Sequence, residues 1–136
     1  MSDIDLKKYQ EFVDAVTSQE SKNNNDFQTR WTILQNQRDA NMPRLLTAAL
    51  GLAAESGEFT EIIKKIILQG KPLDEDNIYH MKRELGDVIW YWMQGCMALN
   101  INPNDVIQTN IDKLKSRYPG GNFFAHYSEN RKEGDI

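Results

Sequence analysis

The amino-acid sequence predicts an all-α protein. Apolar residues recur at three- and four-residue intervals along most of the chain, helix-starting and helix-ending residues punctuate that pattern, and no strand-like alternation bounded by hairpin turns occurs. With 136 residues the chain suits one domain, large enough for a core and small enough to gain buried area by assembly. The expectation is a four- to five-helix bundle over residues 1–136 that oligomerises through apolar helices, with its core at 43–118 and a tail at 119–136 docking on the bundle or on a partner subunit.

The first helix is expected at about Ile4 to Val16, where Leu6, Tyr9, Phe12, Val13 and Val16 form one face. Thr17 to Asp26 is polar and turn-like, with Asn23-Asn24-Asn25 suited to a loop or a helix cap. A weaker helical segment, Phe27 to Arg38, carries Trp31 and Leu34. The strongest helix runs from about Pro43, tolerated in a first turn, to Gln69, before Gly70 and Pro72 stop it. Asp74 caps the next, Glu75 and Asp76 sit favourably in its electropositive first turn, and apolar residues continue to Leu99. From Val88 onward this helix is apolar on nearly every side, so other helices or a second subunit must surround it, with Trp90 and Trp92 in the core. Asn102 and Pro103 open a last helix with Val106, Ile107, Ile111 and Leu114 as its buried stripe, and Tyr118-Pro119-Gly120-Gly121 ends it. Phe123, Phe124 and Tyr127 are expected to dock, and Glu129 to Ile136 to be mobile.

Charged residues make up 26% of the chain and the net charge is −4, which argues against a sequence-independent nucleic-acid binder, since that needs a basic face. An anionic substrate stays compatible, because a bound metal and a few local Lys or Arg override the global sign. Cys96 is the only cysteine, so no intrachain disulfide forms, and core packing in a reducing compartment is its expected role. Ser2 to Lys8 is polar with no apolar secretory segment behind it, and the longest apolar run, Val88 to Met93, is too short to span a bilayer. A soluble, cytoplasmic protein with no membrane partner is expected.

Two acid pairs, Glu55-x-x-Glu58 and Glu84-x-x-Asp87, interrupt the two most apolar helices. At about 100° per residue, Glu55 projects onto the arc of Leu52, Phe59 and Ile63 with Glu58 about 60° aside. Glu84 projects between Val88 and Tyr91, with Asp87 again about 60° away. Uncompensated carboxylates on a core-facing arc are costly and require a partner. Oxygen-only ligands without paired histidines or thiolates select Mg²⁺ or Mn²⁺, and a helical hairpin turning near Lys71 brings the pairs level. A ferritin-type di-iron site would need Glu-x-x-His, which is absent. Magnesium commonly shares its shell with substrate phosphates, which points to phosphate-ester chemistry. Yet Glu-x-x-Glu is also common on solvated helices, as the i,i+4 pair Glu61 and Lys65 illustrates. A non-catalytic helical oligomerisation protein with a polar layer is therefore the competing reading.

Three blocks carry a resemblance: Gly51-Leu52-Ala53-Ala54-Glu55-Ser56-Gly57-Glu58, Lys82-Arg83-Glu84-Leu85-Gly86-Asp87-Val88-Ile89-Trp90-Tyr91, and Asn110-Ile111-Asp112-Lys113-Leu114. Over Leu45 to Tyr118 they resemble the MazG-type all-α nucleoside triphosphate pyrophosphohydrolases, and the ending Arg117-Tyr118-Pro119-Gly120-Gly121 with Asn130-Arg131 is similar too. The whole is most similar to the compact single-domain forms carried by bacteriophages, which would place it in the host cytoplasm. The resemblance implies Mg²⁺-dependent cleavage of a nucleoside triphosphate, with deoxynucleotides the expected class, between the α and β phosphates by a homodimer or homotetramer. It makes Glu55, Glu58, Glu84 and Asp87 the metal ligands, with Mn²⁺ as a substitute ion, and Glu55, for its apolar setting, the base for the attacking water. Asn110, Lys113 and Arg117, at i, i+3 and i+7 on one helix face, are then assigned to the sugar and phosphates. Lys64, Lys65 and Arg131 are further phosphate candidates, and Trp31, in a polar region, is the candidate to stack on the base. A dUTPase-like, phosphoribosyl-ATP-hydrolysing or alarmone-hydrolysing specificity within the same fold is the nearest rival, since only the base pocket separates these enzymes.

Overall fold

The structure, a computed structural model, describes residues 3–135; Ile136, at the end of the tail expected to be mobile, lies outside them. The described chain is all-helical: α1 Leu6–Ala15, α2 Gln19–Lys22, α3 Asn24–Gln37, α4 Met42–Leu68, α5 Glu75–Ala98, α6 Pro103–Arg117 and α7 Ala125–Glu129. The five longer helices are the expected ones, and the short α2 and α7 are additions. The chain divides into two compact units, one ending at Met42 and one beginning at Pro43.

In the first unit, Asp5 starts α1 by accepting hydrogen bonds from the Lys7 and Lys8 backbone N–H groups. The stretch expected as a turn is largely helical. Its asparagine cluster is the reason: the Asn23 side chain accepts from the Asn25 and Asp26 N–H groups at 2.9 and 3.1 Å, so α3 begins at Asn24 instead of Phe27. Lys22 folds α2 back on α1, donating to the Asp14 carbonyl at 2.7 Å and pairing with its carboxylate at 3.3 Å.

In the second unit, α4 stops where Gly70 adopts φ +70°, which lets the Lys71 N–H reach back to the Lys65 carbonyl at 3.1 Å. Asp74 then caps α5 by accepting from the Asn77 N–H at 3.0 Å, while the Asn77 side-chain amide donates to the Pro72 carbonyl at 2.7 Å. The turn is thus closed from both sides, and α5 returns antiparallel to α4. Arg44 Nη1 meets Met97 Sδ at 3.4 Å, Ala48 faces Gly95, and Gly51 faces Tyr91 so closely that any Cβ on it would enter the ring. Small residues at these positions let the two backbones approach. Cys96 is buried with Ala48 and Ala98, as its apolar surroundings predict.

The larger apolar residues expected inside are not covered within the chain. Trp90 is 54% exposed, and Ile107, Ile111 and Leu114 of the expected α6 stripe are exposed as well. Helices α5 and α6 carry apolar side chains on more faces than one chain has helices to cover. Beyond α7 the tail turns back on α6, where Lys132 Nζ donates to the Ser116 carbonyl at 3.1 Å and Arg117 pairs with Asp135, while the side chains from Glu129 to Gly134 stay exposed. Among the described residues no helix is long and apolar enough to cross a membrane.

Candidate functional site

The α4–α5 hairpin brings its acids together. Glu55, Glu84 and Asp87 each offer a carboxylate oxygen, and these atoms all lie within 4.8 Å of one another. The register explains the meeting: Glu55 is one helical turn beyond Gly51 and Asp87 one turn before Tyr91, so the close Gly51–Tyr91 crossing delivers both acids to the same level. Glu84, a turn before Asp87 on α5, completes the group. Glu58 lies outside this group and is exposed, although its charge is felt at Glu55. The setting is a rim and not the apolar interior expected, since Glu55 and Glu84 are half-buried and Asp87 is exposed.

Three acids this close repel one another. The Glu55 carboxyl is held above the ordinary glutamate range, first by partial burial, then by a hydrogen bond with Glu84, and then by the charges of Asp87, Glu84 and Glu58. That is the condition a divalent cation relieves. Three carboxylate oxygens within 4.8 Å of one another could close on a single hard cation. The donor set fits a hard cation.

Of the other residues singled out by sequence, Lys64 and Lys65 both pair with Glu61, at 2.8 and 3.5 Å, so their charge is answered on their own helix. The Lys64 contact is the main reason that the Glu61 carboxyl lies below its ordinary range. Trp31 is half-buried, stacks on Phe27 with ring centroids 5.7 Å apart, and lines an open recess with Glu20, Ser21, Arg30 and Leu34 in the first unit. Asn110 is exposed on α6. Lys113, Arg117 and Arg131 all act on Asp135, which sequence reasoning missed. Hydrogen bonding to Arg117 holds the Asp135 carboxyl below the ordinary aspartate range and Arg117 correspondingly above its own. Eighteen residues separate this pair, so no local spacing signals it.

The described chain is thus all-helical and sets three acids across an antiparallel helix pair. Residues 44–121 match the MazG nucleotide pyrophosphohydrolase domain, and the chain belongs to that family. The match contains the whole acid cluster together with Lys113 and Arg117. The Gene 37 protein of Mycobacterium phage L5 is similar, with 36% identity over 73 residues, or 53% of this chain. The aligned region spans 64% of that relative's own length, less than two thirds of it. No solved structure matches.

Proposed function

We propose that this chain hydrolyses nucleoside triphosphates, with deoxynucleotides as the expected class, between the α and β phosphates to yield the monophosphate and pyrophosphate. The observation that carries this reading is the convergence of Glu55, Glu84 and Asp87 inside the segment matched to the pyrophosphohydrolase domain. These three side chains would hold Mg²⁺ or Mn²⁺, with Glu58 joining after a rotamer change. When bound, the cation neutralises triphosphate charge and makes water a better nucleophile. Glu55, half-buried on α4 beside the other acids, takes the proton of the attacking water. Asn110, Lys113 and Arg117 face the sugar and phosphates from α6, with Arg131, and Lys65 once it leaves Glu61, as further positive charge. Incubation with each standard ribo- and deoxyribonucleoside triphosphate should release pyrophosphate in the presence of Mg²⁺ and none in EDTA. Release of orthophosphate, or no metal-dependent release from any of them, would overturn the assignment.

The working form is a homodimer or homotetramer. Leu50 and Ile89 are 65% and 63% exposed in the single chain, and Trp90 and Met97 are exposed as well, apolar side chains that a partner subunit would cover. Sedimentation should return a dimer or tetramer that Ile89→Glu disperses. A wild-type monomer at micromolar concentration would refute the assembly.

A further inference from the structure

The tail places one carboxylate among the three cations that the phosphate reading needs. Asp135 accepts from Arg117 Nε and Nη2 at 2.7 and 2.6 Å, stands 3.7 Å from Lys113 Nζ, and feels the charge of Arg131. The Arg117 and Asp135 side chains are each only 13% exposed. A guanidinium fork offers carboxylate and phosphate the same two parallel hydrogen bonds, so Asp135 sits as a phosphate oxygen pair would. The chain is shaped to put it there: Gly134 turns at φ +86°, and the Asp135 N–H donates to the Lys132 carbonyl at 3.0 Å.

What holds this strap is polar and local. Every residue from Glu129 to Gly134 is exposed, so no apolar burial resists its release once the Arg117 pair opens. A polyphosphate carries more charge and more acceptor oxygens than one carboxylate, so it is the stronger partner for clustered cations. We propose that Asp135 is an internal occupant of a phosphate seat formed by Lys113 and Arg117, and that the segment from Lys132 to Asp135 is an autoinhibitory strap which a polyphosphate displaces. This inference rests on α6 being the phosphate-binding face. Asp135 itself lies beyond the residues that match the family.

The test uses the full chain and inorganic pyrophosphate in EDTA, so that the acid cluster and its metal play no part. Calorimetric titration should show Asp135→Asn binding pyrophosphate about tenfold more tightly than wild type, as expected when a competing charge is removed. Arg117→Gln should abolish binding in either background. In the wild type, saturating pyrophosphate should speed hydrogen exchange at the Lys132 to Asp135 amides, a change that a merely structural ion pair does not produce. Unchanged or weaker binding by Asp135→Asn, or exchange in the tail that pyrophosphate leaves unaltered, would overturn the strap. Failure of the hydrolase reading is separable: an inactive chain that still shows both effects keeps the strap, and an active one that shows neither loses it.

Discussion

Glu55→Gln should lower pyrophosphate release by about 10²–10⁴-fold while leaving the helices intact, because it removes a charge and a proton acceptor at nearly constant shape. The expected magnitude follows from position. The Glu55 carboxyl is raised by partial burial, by its hydrogen bond with Glu84 and by the charges of Asp87, Glu84 and Glu58. The same substitution should erase a pH dependence of stability. With its carboxyl raised in the folded state, the favourable contribution of protonated Glu55 is complete below roughly pH 4 and is lost as pH rises through the raised value. In EDTA, wild type should therefore lose stability relative to Glu55→Gln between acid and neutral pH. Mg²⁺ should reverse the trend if it binds the deprotonated cluster as proposed, a hundredfold excess over Kd adding about 2.7 kcal/mol. Thermal melts of both proteins with and without Mg²⁺ make the measurement. Wild-type turnover by Glu55→Gln, or melts in which the two proteins respond identically to pH and Mg²⁺, would remove Glu55 from the site.

Gly51→Ala should destabilise the folded chain by about 1–3 kcal/mol, the usual result of overpacking a tight contact. The added methyl would occupy the space of the Tyr91 ring, in the middle of the hairpin and one turn from Glu55. The sign should invert once the ring is gone. In a Tyr91→Ala background the same glycine-to-alanine change removes no contact and improves helix propensity, so it should stabilise by about 1 kcal/mol. Denaturant melts of the four proteins give the coupling directly. If Gly51→Ala costs the same in both backgrounds, the close crossing is not what sets the α4–α5 spacing, and the explanation of how Glu55 meets Asp87 fails with it. Loss of Mg²⁺ binding in Gly51→Ala should accompany its loss of stability, since the acids depend on that register.

Local signals were enough for the helices. Asp74 before an acidic first turn, Asn102 before Pro103, and Gly70 after a long apolar repeat each act within a few residues, and each appears in the structure as the expected cap or stop. The exceptions have local causes of another kind. Asn23 caps a helix by a side-chain bond that its polarity alone did not distinguish from a loop, and α7 is too short for any periodicity to register. Within the site, the helical spacing of the acids was legible. Which of them converge was not, and Glu58 falls outside the group that Glu55, Glu84 and Asp87 form.

What the chain order determined was therefore the one-dimensional content: helix positions, their caps, the faces bearing acids and bases, and the motif blocks that mark a MazG-family protein. Packing decided the rest. The contact between Gly51 and Tyr91 selects a register of the hairpin, and that register, not the spacing along either helix, brings carboxylates from α4 and α5 within reach of one ion. In the same way, the fold returns Asp135 to Arg117 across a separation that no short-range pattern spans. Helix periodicity is set by neighbours a few residues apart, whereas a site depends on side chains from different helices arriving at one point. Only the tertiary approach of those helices supplies that point.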